Sequence, residues 1–114
     1  MNRKILIVED DPAIVEFLED FFQDNGYETA TALDGVEGLE KLAAEKPDLI
    51  TLDMEMPRKG GTLFYAGLRR RKTTRDIPVI VISGVRPRLA KGVPVLDKPI
   101  AKDVLLSQVR TFLN

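Results

Sequence analysis

Short apolar runs recur along this chain, each followed by a longer stretch whose apolar residues fall at helical spacing, and that alternation leaves few folds open. Residues 3 to 8 read as a continuous apolar strand of the kind buried on both faces of a parallel sheet. Pro12 suits the first turn of a helix, and Ile14, Val15, Phe17, Leu18, Phe21 and Phe22 continue it until Asn25-Gly26 stops it. The cycle repeats with a strand over 27–31 and a helix marked by Val36, Leu39, Leu42 and Ala43, which Pro47 ends. A strand over 48–52 follows, then a helix opened by Gly60-Gly61 and carrying Leu63, Phe64 and Leu68. Strands over 77–82 and 93–96 and a closing helix with Val104, Leu105, Val109, Phe112 and Leu113 complete the pattern. Such β/α alternation predicts an α/β fold, a doubly wound five-stranded parallel sheet covered by helices on both faces. The fourth crossover is the exception. Only ten residues, 83 to 92, separate its strands, and Gly84, Pro87 and Gly92 are among them, so a helix there is expected to be short or missing.

Composition narrows the chemistry. The 114 residues include no cysteine, tryptophan or histidine, which excludes disulfide staples, Cys/His zinc sites, thiol nucleophiles and any Ser-His-Asp triad. A single domain over residues 1–114 is expected at this length. Met1-Asn2-Arg3-Lys4, followed by only four apolar residues, is too short for a signal peptide, and no apolar run approaches ~18 residues, so a cytoplasmic protein without membrane contact is expected. Charge is unevenly spread: residues 1–55 hold 4 basic and 15 acidic groups (−11), and 56–114 hold 13 and 3 (+10). The basic run Arg69 to Lys72, with Arg75, Arg86, Arg88 and Lys91, reads as a solvated face or as a docking surface for an acidic partner. Direct nucleic-acid contact is not expected, because aromatics are few and no groove-entering motif occurs.

Function concentrates at the strand ends. Ligands on open parallel sheets bind beyond the carboxyl ends of the strands, and Glu9, Asp10, Asp53, Ser83 and Lys98 all follow strands directly. Two carboxylates ~4.5 Å apart repel by roughly 3–4 kcal/mol at an effective dielectric near 20, so the acids must share a proton or a cation. All-oxygen ligands favour Mg²⁺, which is usually completed by a phosphate. A carboxylate is also a competent nucleophile toward phosphorus, so the expected product is an aspartyl phosphate, with Lys98 and the Ser83 hydroxyl on the phosphoryl oxygens. Asp11, immediately before Pro12, is expected to cap the first helix while Glu9 and Asp10 serve the metal.

These residues resemble the receiver domain of two-component response regulators over essentially the whole chain. Ile5-Leu6-Ile7-Val8-Glu9-Asp10-Asp11-Pro12 matches that family's acidic first loop, and Pro47 to Pro57, with Asp53 and Gly61, its phosphoacceptor segment. Pro78 to Gly84 resembles the strand ending in a Thr/Ser switch, and Asp97-Lys98-Pro99-Ile100 the Lys-Pro signature. The resemblance implies a CheY-like, flavodoxin-like sheet of order 2-1-3-4-5. It implies that Asp53 is phosphorylated, that Mg²⁺ is bound by Asp10, Asp53 and the backbone carbonyl of Glu55 with Glu9 acting through water, and that Ser83 and Lys98 hold the phosphoryl oxygens. The implied partners are a sensor histidine kinase or histidine phosphotransfer protein, then an effector protein or fused output domain. Self-phosphorylation of this kind is not turnover of a separate substrate. Glu55 and Val85, two residues beyond Asp53 and Ser83, are expected to set phosphoryl lifetime. The chain departs from the family at Val95, where many receivers carry an aromatic, and in the short segment 83–92. Two other readings stand beside this one: a receiver-like scaffold that binds partners without phosphorylation, and an aspartyl-phosphate phosphatase, for which the chain lacks a substrate-enclosing cap.

Overall fold

Parallel strands buried on both sides favour apolar residues throughout, and the two central runs supply them at every position but Thr51. Ile5 to Val8 within β1 (Lys4–Val8) and all of β3 (Leu49–Leu52) are inaccessible to solvent. The computed structural model describes residues 2–55, 60–84 and 92–113. Around β1 and β3 stand β2 (Glu28–Ala32), β4 (Val79–Ser83) and β5 (Val95–Asp97), in the order β2-β1-β3-β4-β5, every neighbouring pair parallel. The helices are α1 (Pro12–Asp24), α2 (Gly35–Glu45), α3 (Gly61–Arg70) and α4 (Lys102–Leu113). The α/β class is as the alternating pattern predicts, and the sheet order is the one the family resemblance implies. No helix among the described residues joins β4 to β5. The expectation of a short or missing helix there falls largely on residues 85–91, which lie outside the described set.

Strand alternation divides the core in two. Leu6, Val8, Ile50, Leu52 and Val81 meet Leu42 of α2 and Phe64 and Leu68 of α3 on one face. Ile5, Ile7, Leu49, Ile80 and Ile82 meet Leu18 and Phe22 of α1 and Leu105 and Val109 of α4 on the other. Several residues at helical spacing stay outside both clusters: Val36, Leu63, Val104 and Phe112 are exposed. β4 and β5 each begin two residues later than the apolar runs suggest. Pro78 and Pro94 stand at their entrances, accepting hydrogen bonds from Ile50 N (3.0 Å) and Val81 N (2.9 Å) but having no N–H to donate.

Local signals set the helix ends. Asp11 caps α1 through Oδ1, which accepts from Ala13 N at 2.9 Å, as expected from its place before Pro12. Asp34 caps α2 in the same way from Glu37 N at 2.8 Å. Gly26, at φ +89°, turns the chain out of α1 into β2 in a conformation a side chain would resist.

Candidate functional site

β1 and β3 are parallel neighbours in the register Val8↔Leu52, so the loops leaving them start side by side. Asp53 N donates to Val8 O and Glu9 N to Ala32 O, each at 3.0 Å, which extends the ladder one residue past the strands and fixes both backbones. Glu9, Asp10 and Asp53 therefore converge, with one carboxylate oxygen from each lying within 4.8 Å of the others. Glu9 and Asp53 are buried, and Asp10 is the most open to solvent of the three.

Lys98 enters from the far side of the sheet. Asp97 ends β5 in register with Ser83, and the Lys98-Pro99 peptide bond that follows is cis. The ammonium lies 3.1 Å from Glu9 Oε1 and 3.5 Å from Asp53 Oδ2, bridging acids from two loops. One lysine among three carboxylates leaves two negative charges in excess. Glu9 responds to its own burial more than to that imbalance. Burial, reinforced by Asp53 and opposed by the Asp11 amide (3.2 Å to Oε2) and Lys98, pushes its carboxyl up to about 7. Burial alone would lower the Lys98 pKa, but the facing Glu9 and Asp53 carboxylates outweigh it and hold the ammonium more firmly protonated than a free lysine.

The remaining candidates border this centre. Ser83 is fully buried at the end of β4. Glu55 N donates to Asp53 Oδ1 at 2.9 Å, fixing the carboxylate's rotation. The Glu55 side chain reaches toward β4, where a Cβ added to Gly84 would stand 3.1 Å from its Oε1, so the loops after β3 and β4 touch. Gly61 is required by packing: a Cβ there would stand 2.6 Å from Asp53 O and 2.7 Å from Met54 Cα. Met56, Pro57 and Val85 lie outside the described residues. The structure thus brings Glu9, Asp10, Asp53 and Lys98 into one cluster, with the Glu55 amide on Asp53 and Ser83 at the end of the neighbouring strand β4.

An apolar hollow of about 320 Å³ adjoins Lys98, lined by Ala13, Ile14, Phe17, Pro99 and Ile100. Sequence reasoning used Ile14 and Phe17 only as markers of the first helix. Their i, i+3 spacing directly after the acidic loop is the signal that could have placed them beside the site. The donor set of the pocket is all oxygen, comes from two rigid strand ends and carries excess negative charge, which fits a hard divalent cation of the Mg²⁺ type.

A family model described as "Response regulator receiver domain" matches residues 5–110. Response regulator MprA of Mycobacterium ulcerans is 37% identical over all of this chain and 51% of its own length, so the chain spans about half of that relative. Protein Rrf1 of Nitratidesulfovibrio vulgaris is 30% identical over 96% of this chain and 81% of its own. Among solved structures, the Vibrio cholerae chemotaxis protein CheY4 superposes with a TM-score of 0.89 at 28% identity, covering 99% of this chain and 100% of that one. The signal receiver domain of a signal transduction histidine kinase from Syntrophus aciditrophicus gives 0.88 at 32% identity, covering 97% and 89%.

Proposed function

The chain belongs to the response regulator receiver domain family, and from that premise we propose that Asp53 is its phosphoacceptor, taking a phosphoryl group from the phosphohistidine of a sensor histidine kinase or histidine phosphotransfer protein. The observation that carries the reading is the position of the Lys98 ammonium, within 3.5 Å of Asp53 and 3.1 Å of Glu9 at the carboxyl edge of the sheet. An Asp53 carboxylate oxygen attacks phosphorus in line with the phosphorus–nitrogen bond. That bond breaks, its electron pair returns to the imidazole nitrogen, and an acyl phosphate remains on Asp53.

Most of the work is positioning and charge. The Glu55 amide holds one Asp53 oxygen and so orients the other. Lys98 exchanges its Asp53 contact for a phosphoryl oxygen as negative charge moves outward, and the Ser83 hydroxyl donates to another. Asp10, Asp53 and the Glu55 carbonyl would hold Mg²⁺, with Glu9 acting through a bound water, and the ion when bound supplies neutralisation of the phosphoryl charge. The hollow formed by Ile14, Phe17 and Pro99 offers the donor's imidazole-bearing surface an apolar seat next to Lys98. Residues 1–114 act as one receiver module in the cytoplasm, and an effector protein or fused output domain reads the added charge by a shift in conformational equilibrium.

Incubation with Mg²⁺ and acetyl phosphate tests the proposal. Wild-type protein is expected to gain one base-labile phosphoryl group by intact mass, and Asp53→Ala or Mg²⁺ chelation to abolish the gain. Equal labelling of wild type and Asp53→Ala would refute it, and no labelling of a folded, Mg²⁺-binding wild type would favour the scaffold reading.

A further inference from the structure

Two charged surfaces on opposite faces of the sheet are left unneutralised, and each has the sign the other lacks. On α1, Glu16, Asp20 and Asp24 stand at i, i+4 and i+8, all exposed, and no cation lies within ion-pair distance of any of them among the described residues. Like charges at that spacing cost a helix about 0.2–0.5 kcal/mol per pair. Asp24 also places an anion at the negative end of the α1 dipole. Helix physics disfavours this ridge, and nothing among the described residues offsets it.

The complementary patch closes α3. Arg70, Arg71, Lys72 and Arg75 are exposed, again with no carboxylate in ion-pair reach among the described residues. The turn carrying them is held in shape: the Arg69 guanidinium sits 4.9 Å above the Tyr65 ring and donates to Arg75 O. Beside it opens a hollow of about 430 Å³ at the sheet edge, walled by Arg75, Asp76, Pro78, Val93, Pro94 and the exposed Phe112 of α4. The dipole accounts for cations at the end of α3, but not for an open hollow of mixed lining next to them.

α1 packs with α4 on one face of the sheet and α3 with α2 on the other, so a molecule cannot join its own ridge to its own patch. We propose that the occupant of the patch is a second copy of this chain, whose α1 ridge lies along the turn after α3. The Phe17–Phe21 pair, stacked at 6.0 Å and half-buried beside the ridge, would face Pro94 and Phe112 in the wall of the hollow. Ridge on one molecule and patch on the next make the contact heterologous, so it repeats head to tail instead of closing into a symmetric dimer. Exposed ion pairs are individually weak and screened by salt, so the association is weak and salt-sensitive.

Sedimentation velocity at about 0.02 M and about 0.5 M salt tests this. Wild-type protein is expected to grow in mean mass with concentration at low salt and return to monomer at high salt. A patch variant (Arg70→Gln, Arg71→Gln, Lys72→Gln) and a ridge variant (Glu16→Gln, Asp20→Asn, Asp24→Asn) should each be monomeric alone, whereas an equimolar mixture, retaining one intact ridge and one intact patch, should form a 1:1 complex and nothing larger. If either triple variant unfolds, the single reversals Asp20→Lys and Lys72→Glu replace them, each losing self-association alone and recovering it when mixed. A wild type that stays monomeric at low salt up to millimolar concentration, association indifferent to both variants, or a mixture that fails to pair would overturn the proposal. Binding of the patch only to a polyanion or to anionic vesicles, with no self-association, would count as the first of these.

Discussion

Two side chains show how far one residue's surroundings decide its energetics. Thr51 is buried in the middle of β3 between Ile7 and Ile80, and its hydroxyl has no hydrogen-bond partner among the described residues. A buried unpaired hydroxyl carries its full desolvation cost, so Thr51→Val, which keeps the shape and removes the polar atom, is expected to stabilise the fold by about 1 kcal/mol. An unchanged or lowered urea midpoint would show that the hydroxyl is satisfied after all. Glu9 is the opposite case, a buried acid that has partners but too few of them. Its carboxyl rises from 4.5 to about 7 on folding, so between those values the folded state binds more protons than the unfolded chain. Stability of the metal-free protein should therefore fall as pH rises from about 4.5 to about 7, by on the order of 1–2 kcal/mol. Lys98 acts in a separate window: its raised pKa contributes stability that is fully present below 10.5 and is lost as pH climbs through the folded value. Urea midpoints at pH 5 and pH 7.5 check the Glu9 effect, which Glu9→Gln should flatten and saturating Mg²⁺ should diminish. A midpoint that rises with pH in the metal-free wild type would contradict it.

Among the elements, α3 is the one whose placement the site depends on most directly. Its first residue, Gly61, touches the Asp53 carbonyl and Met54 backbone so closely that a methyl group has nowhere to go. Backbone atoms cannot yield as a flexible side chain would, so Gly61→Ala is expected to cost about 1–3 kcal/mol of stability. Because the clash pushes on the loop holding Asp53, Mg²⁺ affinity should drop with it. Calorimetric titration beside thermal unfolding separates the two effects, and an unperturbed Mg²⁺ affinity would show that the loop absorbs the methyl without moving Asp53. By contrast Gly38, where a Cβ would meet the Phe64 ring at 2.7 Å, sets the approach of α2 to α3 and leaves the acids untouched.

At the scale of the whole molecule, the parts written in local pattern were the parts legible in the sequence. The strand–helix alternation, the Asp11 cap and the strand-end positions of Glu9, Asp10, Asp53 and Lys98 follow from apolar periodicity and from the rule that parallel strands end together. The convergence of Lys98 on the same edge as the acids was legible from its strand-end position, but its direct ion pairs with both Glu9 and Asp53 were not, because β5 reaches β3 across β4 and no local signal encodes that distance. Exposure of Val36, Leu63, Val104 and Phe112 was not legible, since helical spacing marks a face without saying how wide the covering sheet is. Nor was the hollow beside Lys98, which takes α1 and the segment after β5 together to form. The central claim is that the lysine and the acids serve one nucleophile, and the most direct measurement locates the phosphoryl group. Protein treated with Mg²⁺ and acetyl phosphate, reduced with borohydride and mapped by peptide mass spectrometry should show residue 53 converted to homoserine in the wild type, with conversion at least tenfold lower in Lys98→Ala, a loss of about 1.4 kcal/mol. Conversion at another acid, or full conversion at residue 53 without the lysine, would contradict the account.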